Sequence, residues 1–387
     1  MQLRHAAWYL VVATMLMSRE AAAADETVKA SSELAVYQDS FAVTVFTPTV
    51  AGSVESPTAG WAVNGRYLVD VVSAASPDIV STASRRWSEV RHAGNVGAAY
   101  KPGTFGIAVN AAISSTPDYL SLNGGGQTSL DLDEKNWTLL AGYSFGHDRI
   151  GRTGTPFSVF SRSLDSHLIT VGATRVLSPS SVLGVVFDAT LESGDQSKPY
   201  RYIPLFDKDV AARIPAGASP TLVAESRLNE KPLERLPLER RRIALTTRFA
   251  HRSDLGTFRV EERLYADTWG LFASTSDARF LFDLSKRVIF WPRLRFHTQS
   301  AVSFWQRAYV GESGGVVPEY RAGDRELGAL FTVGAGLGAR WMVGRVGSEN
   351  DVALTTSVDG YWTKFADALY VTERYSTLGV VGLEVTF

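Results

Sequence analysis

Leu378-Gly-Val-Val-Gly-Leu-Glu-Val-Thr-Phe387 closes the chain. Counted backwards in steps of two, Phe387, Val385, Leu383 and Val381 are apolar, whereas Thr386, Glu384 and Gly382 are polar or small. Successive residues of a strand point to opposite faces, so this segment presents one apolar and one polar face. In a soluble β protein the apolar face meets a core. In a transmembrane barrel it meets lipid, and the polar face lines the lumen.

The other end of the chain has the parts of an export signal. Arg4 and His5 precede an apolar run from Ala6 to Met17, and Ala22-Ala23-Ala24 offers a small-residue cleavage site. Residues 1–24 are therefore expected to be a signal peptide, and residues 25–387 a single domain. The apolar run is shorter than the roughly 20 residues a helix needs to cross a bilayer. Removing Arg4, Arg19 and Glu20 with that segment leaves 37 basic against 39 acidic residues, which gives no basic stripe for nucleic acid. With no cysteine there is no disulfide framework, no thiolate metal site and no lipid-bearing cysteine.

Working back from the terminus, the alternation recurs in runs of 10 to 15 residues. These are close to the span of a tilted transmembrane strand and about twice the usual length in soluble sheets. Ile243, Leu245 and Phe249 alternate with Arg242, Thr246 and Arg248, and Phe258, Val260 and Leu264 with Arg259, Glu261, Arg263 and Asp267. Phe280, Phe282 and Leu284 oppose Asp277, Arg279 and Asp283; Leu294, Phe296, Val302 and Phe304 oppose Arg293, Arg295, His297, Gln299 and Arg307. Upstream, Leu183, Val185, Phe187 and Leu191 face away from Asp188 and Glu192. Turn chemistry separates the runs at Lys101-Pro-Gly-Thr104, Ser178-Pro-Ser-Ser181, Arg252-Ser-Asp-Leu-Gly256 and Gly344-Arg-Val-Gly-Ser348. Trp61, Trp87, Trp137, Trp291, Trp341, Tyr361 and Trp362 near run ends suit an interfacial girdle. The chain reads as all-β, a transmembrane antiparallel up-and-down barrel.

A first count gives 14 strands. Keeping the short turns on the side of the termini then asks for a strand at Phe157–Ser163 and a first strand at about Ser32–Gln38, for a total of 16. In that register Ser73–Arg86, Ser115–Asp131 and the 47-residue, six-proline segment Ser193–Glu239 fall outside the cell. Asp70, Asp78, Asp118 and Asp131, with Asp267, are then expected near one mouth. There they form a polar site or cap turns and pair with Arg66, Arg85 and Arg86. Arg242, Arg248, Arg259, Glu261, Arg263, Asp267, Arg279, Asp283, Arg293, Arg295 and Arg307 are expected to line the lumen, either as an anion-attracting ladder or as a salt-bridged wall. Gly328, Gly334, Gly336 and Gly338 share that inward face and leave room for a plug or solute path, or relieve curvature.

Several patches resemble an uncharacterised family of bacterial outer-membrane barrels known as domain of unknown function 3570. They are Tyr37-Gln-Asp39 with Val43 and Pro48; Tyr67-Leu-Val-Asp-Val-Val-Ser-Ala-Ala-Ser-Pro-Asp78 with Val80-Ser-Thr-Ala-Ser84; and Pro117-Asp-Tyr-Leu-Ser121. Pro199-Tyr-Arg201, Arg263-Leu-Tyr-Ala-Asp267 with Trp269-Gly270, and Pro292-Arg-Leu-Arg295 complete the set. The resemblance implies a barrel in the outer membrane of a Gram-negative bacterium and no particular activity. A terminal Phe387 is similar to the signal that such barrels show their assembly machinery.

The expected function is a channel or transporter for small solutes, with outer-membrane lipid and the barrel-assembly machinery as partners. The alternative is a plugged barrel that binds a ligand or partner at its outer mouth. An enzyme is not expected. His92, His147, His167, His251 and His297 lie in no Gly-x-Ser-x-Gly or His-Glu-x-x-His pattern, His167 points away from its neighbour Ser166, and His147 and His251 read as turn residues. No cofactor or metal is implied.

Overall fold

The computed structural model describes residues 26–74, 87–311, 317–346 and 350–387. The chain runs β1 (Thr27–Asp39), β2 (Thr44–Ser56), β3 (Trp61–Ala74), β4 (Trp87–Tyr100), β5 (Phe105–Thr116) and β6 (Tyr119–Leu132). It continues through β7 (Trp137–Ile150), β8 (Arg162–Ser178) and β9 (Ser181–Gly194). A long excursion follows, holding a two-residue β10 (Leu205–Phe206) and the short helices α1 (Lys208–Arg213) and α2 (Pro220–Ser226). Then come β11 (Glu239–Ser253), β12 (Gly256–Asp267), β13 (Phe272–Ser285) and β14 (Val288–Gln299). A second excursion carries β15 (Tyr309–Val310) before β16 (Leu330–Val346), β17 (Asn350–Phe365) and β18 (Glu373–Thr386).

Leaving out β10 and β15, which pair only with each other, 16 strands form one closed antiparallel barrel in which every strand pairs with its sequence neighbours. β1 closes on β18, with Leu34 opposite Val381 and Ser32 opposite Leu383. The terminal Phe387 extends that seam: its N–H donates to the Val28 carbonyl at 2.8 Å. The barrel strands are 12 to 17 residues long. At ~3.3 Å per residue and a ~45° tilt, a 14-residue strand rises about 30 Å, the thickness of a hydrocarbon core. Closure leaves no unpaired edge, which lipid would penalise by several kcal/mol per exposed polar group.

The strand total agrees with the sequence reading, but one strand lies elsewhere. Residues 157–161 belong to the connection between β7 and β8, and β8 is a single 17-residue strand. The extra strand is β6, inside the segment expected to be the external loop Ser115–Asp131. Its Gly124-Gly125-Gly126 run leaves few large apolar side chains to mark an alternation. β14 also stops at Gln299, so Val302, Phe304 and Arg307 lie in the following connection. Both His147 and His251 are within strands, not turns.

The short turns after β2, β4, β6, β8, β11 and β13 lie at the end shared with the chain termini. The opposite mouth carries the excursions 195–238 and, among the described residues, 300–311 and 317–329. Alternate positions split as a membrane barrel requires. Ile113, Leu122, Ile243, Leu264, Leu294, Leu337 and Val381 are outward and exposed, and ion pairs fill the other set. Trp61, Trp137, Trp341 and Trp362 sit on the outward face near strand ends. Trp291 and Tyr361 instead share the inward set with Arg293 and Arg295. The expected signal peptide, Asp78, Arg85, Arg86 and the side chain of Trp87 lie outside the described residues, as do 75–86 of the expected Ser73–Arg86 loop and 347–349 of the 344–348 turn.

Candidate functional site

The inner wall has two unlike halves. Across the middle of β4 to β6 its side chains are small and neutral, with Asn95, Asn110, Asn123, Ala112 and Gly125 among them, and charge is confined to the strand ends, as at Arg91 and Asp131. From β9 to β14 it is strongly charged. Arg242 meets Glu192 at 2.7 Å, Arg248 meets Glu261 at 2.5 Å and Arg263 meets Asp188 at 3.3 Å. Arg252 reaches past β12 to pair with Asp283. Asp277 is the focus: Arg293 donates to it at 2.6 and 2.8 Å, while Arg279 and Arg295 stand 3.4 Å from its oxygens. Arg293 also reaches Asp359 at 3.4 Å, passing over β16.

That last contact exists because β16 carries glycine where the two would collide. A Cβ on Gly336 would lie 2.1 Å from an Asp359 carboxylate oxygen. On Gly334 it would meet the Tyr361 ring at 2.4 Å, and on Gly338 the Trp291 ring at 2.2 Å. The space expected for a plug or solute path is filled by side chains of the flanking strands lying flat on the wall. Gly328 is outside the strand and packs on Trp305.

Of the expected lumen set, Arg242, Arg248, Arg259, Glu261, Arg263, Asp267, Arg279, Asp283, Arg293 and Arg295 are on inward strand positions. Arg307 is not; it pairs with Asp367 in the connection between β17 and β18. Of the described aspartates expected at one mouth, Asp118 and Asp267 are there, whereas Asp70 and Asp131 are not. Asp131 is at the opposite rim, 2.8 Å from both Lys101 and Thr138. Asp70 is in the wall and accepts from Arg91 at 2.7 Å and Thr47 at 2.6 Å, while Arg66 faces Glu33. Asp267 holds Arg240 at 2.5 Å. Of the described aspartates in this set, Asp118 alone is hydrogen-bonded to the structure that crosses the mouth.

That structure is a folded cap made of 195–238, 300–311 and 317–329. β10 pairs in parallel with β15, and Arg201 bridges Glu234 and Asp324 at 3.3 Å each. Phe206, Ala211, Ile214, Ala218 and Val223 form one apolar cluster, and Leu236, Trp269, Leu271, Val302 and Ala322 another. The second packs on inward Tyr265 and Ala273, seating the cap against the β12–β13 wall. Gln299 donates to the Glu326 and Gly328 carbonyls at 2.7 and 2.9 Å. On the far side the Tyr200 hydroxyl donates to Asp118 at 2.6 Å and accepts from the Thr153 N–H. The cap is thus fixed on both walls. Burial pushes the Asp118 carboxyl up, but donors from Tyr200, Thr153 and Thr116 outweigh it and hold it below the ordinary carboxylate range. Burial, followed by the Asp118 contact, raises the Tyr200 phenol.

Asp359 and Tyr200 were not singled out as site residues from sequence. Asp359 could have been found from Gly336, since a glycine inside a long strand signals close approach. Tyr200 stands in the Pro199-Tyr-Arg201 patch already noted. The histidines are wall residues. His92 and His167 share hydrogen bonds with Tyr67 and Tyr143 on the outward face, His147 pairs with Asp165, His251 with Ser181, and inward His297 with Thr275. Among the described residues no His, Asp and Glu cluster is arranged to hold a metal.

An apolar exterior, a charged interior and a closed 16-strand ladder define a transmembrane β-barrel. The chain belongs to the family described as a protein of unknown function (DUF3570), whose sequence profile matches residues 84–370. No curated protein matches it in sequence. Among solved structures it is similar to the siderophore receptor PirA of Acinetobacter baumannii, at 11% identity and a TM-score of 0.41, covering 86% of this chain and 52% of that one. The chain therefore spans about half the length of that receptor. It is also similar to OccK5 (OpdH) of Pseudomonas aeruginosa, at 9% identity and TM-score 0.39 over 94% and 99% of the two chains. A bacterial polysaccharide outer-membrane secretin gives 10% identity and TM-score 0.44 over 94% and 97%. Each is a likeness in barrel fold alone.

Proposed function

We propose that the protein is an outer-membrane channel or transporter for small solutes, with its external mouth closed by the cap. The carrying observation is the size and lining of the barrel. Sixteen strands leave an aqueous interior where eight would be filled by side chains, and this interior is polar and charged. Short turns beside the termini and long connections at the other end match a barrel inserted from the periplasm of a Gram-negative cell. Outer-membrane lipid then meets the apolar face. The β1–β18 seam, ending in Phe387, is the element presented to the assembly machinery, and residues 1–24 serve as the export signal.

Planar-bilayer conductance of the purified full chain tests it. The full chain is expected to pass small or intermittent currents, and a variant lacking Pro199–Pro237 large, steady ones. Silence from both would leave a closed barrel that binds a ligand or partner at its mouth. The cap's attachment to both walls favours that second reading.

A further inference from the structure

Three arginines stand side by side on the inner wall. Arg259 on β12 is directly opposite Arg279 on β13, and Arg279 is directly opposite Arg293 on β14. Facing residues of antiparallel strands are only about 5 Å apart at Cβ, and like charges so placed destabilise a sheet. Neighbouring carboxylates offset this only in part, Asp359 reaching Arg293 alone at 3.4 Å. Glu261 is taken by Arg248, and Asp277 is committed at short range to Arg293, leaving Arg279 and Arg295 at 3.4 Å. Arg259 has no carboxylate partner among the described residues. The three open onto a lumenal cavity of about 440 Å³ together with Arg248 and Arg295. Five guanidinium groups line it against only the two carboxylates of Glu261 and Asp277. Thr174 and Gly184 on the adjoining strands leave space beside the row.

The geometry points to a binding site on the Arg259–Arg279–Arg293 row for a small, multiply charged oxyanion of phosphate or carboxylate type. Guanidinium forks hold such oxygens in pairs, and an ion with two or more charges can bridge neighbouring arginines where a halide neutralises one. The site lies in the lumen, so its role as a solute station rests on the passage proposed above. Binding itself does not.

Titration calorimetry of inorganic phosphate into the full chain in detergent needs no current. Saturable binding is expected, weakened about tenfold or more by Arg279→Gln and by Arg259→Gln. Lys29→Gln, which removes a cation paired with Glu55 near the termini end, is expected to bind as the parent does. Heat-modifiable gel mobility confirms that each variant remains a folded barrel. Citrate run in parallel assigns the ligand chemistry: whichever binds more tightly identifies it, and either result keeps the site. In bilayers, phosphate is expected to reduce chloride current in the parent and not in Arg279→Gln. Binding that is lost in the variants, in a protein that passes no current, would uphold the site and remove the passage. No saturable binding of either anion, or equal affinity in all variants, overturns the inference.

Discussion

At Gly338 a single hydrogen in place of a side chain decides where Trp291 lies. The indole occupies the position a Cβ would take, with its nearest atom 2.2 Å from that point. Gly338→Leu must therefore expel Trp291 from the wall or push β14 and β16 apart. Overpacking of this kind costs about 1–3 kcal/mol. Urea unfolding in lipid vesicles, followed by tryptophan fluorescence, is expected to show a lower midpoint and a shifted emission. Trp291→Ala should restore much of the midpoint in Gly338→Leu, because it empties the contested space. A double variant no more stable than Gly338→Leu alone would mean that the two residues do not compete. Sequence alternation placed Arg259, Arg279 and Arg293 on one face correctly, because charge and period coincide there. It placed Trp291 in an outer girdle because aromatics near strand ends commonly belong there. Its parity with Arg293 and Arg295 gives its true direction, and Gly338 opposite supplies the space it fills.

Among the elements, the strands with large alternating side chains were legible and the others were not. β11 to β14 declare themselves through aromatics set against arginines. β6 offers Leu120, Leu122 and Leu130 around three glycines, too little contrast to separate it from a loop, so the extra strand that parity demands is expected at Phe157–Ser163 instead. The cap was legible only as a proline-rich insertion, since its two pieces are joined by contacts such as Arg201 with Asp324 that no local pattern encodes. Its attachment to the far wall predicts a pH response. Donors to the ionised Asp118 lower its pKa, so that stabilisation is complete above the unfolded value of ~3.9 and is lost as pH falls through the depressed folded value. Acidification below about pH 4 should therefore loosen the strap, whereas near pH 7 Tyr200→Phe should loosen it directly by removing the donor at 2.6 Å. Bilayer recordings are expected to show more open time for Tyr200→Phe than for the parent at pH 7. The difference should shrink as the parent loses its strap in acid. Equal open time at pH 7 would show that the apolar clusters alone hold the cap.

The whole molecule depends on one long-range pairing, since β1 and β18 are the first and last barrel strands and every other hydrogen-bonded ladder of the barrel joins barrel strands that follow each other in sequence. A barrel gains its protection from lipid only when that seam closes, and closing it fixes the register of all 16 strands. A one-residue slip at the seam would turn Leu34 and Val36, or their partners Val381 and Gly379, toward the wrong face. The chain has no cysteine, so an introduced pair reports on nothing but itself. Ser32→Cys with Leu383→Cys puts two thiols directly opposite on the outward face, within the ~5.5 Å Cα separation a disulfide takes. Ser32→Cys with Glu384→Cys moves one thiol a single residue along and onto the inward face. Oxidation of the folded protein should cross-link the first pair, shifting its mobility in a denaturing, non-reducing gel, and leave the second unlinked. A cross-link in the second pair but not the first would place the seam one residue out of register, and with it the inward set that holds the arginine row.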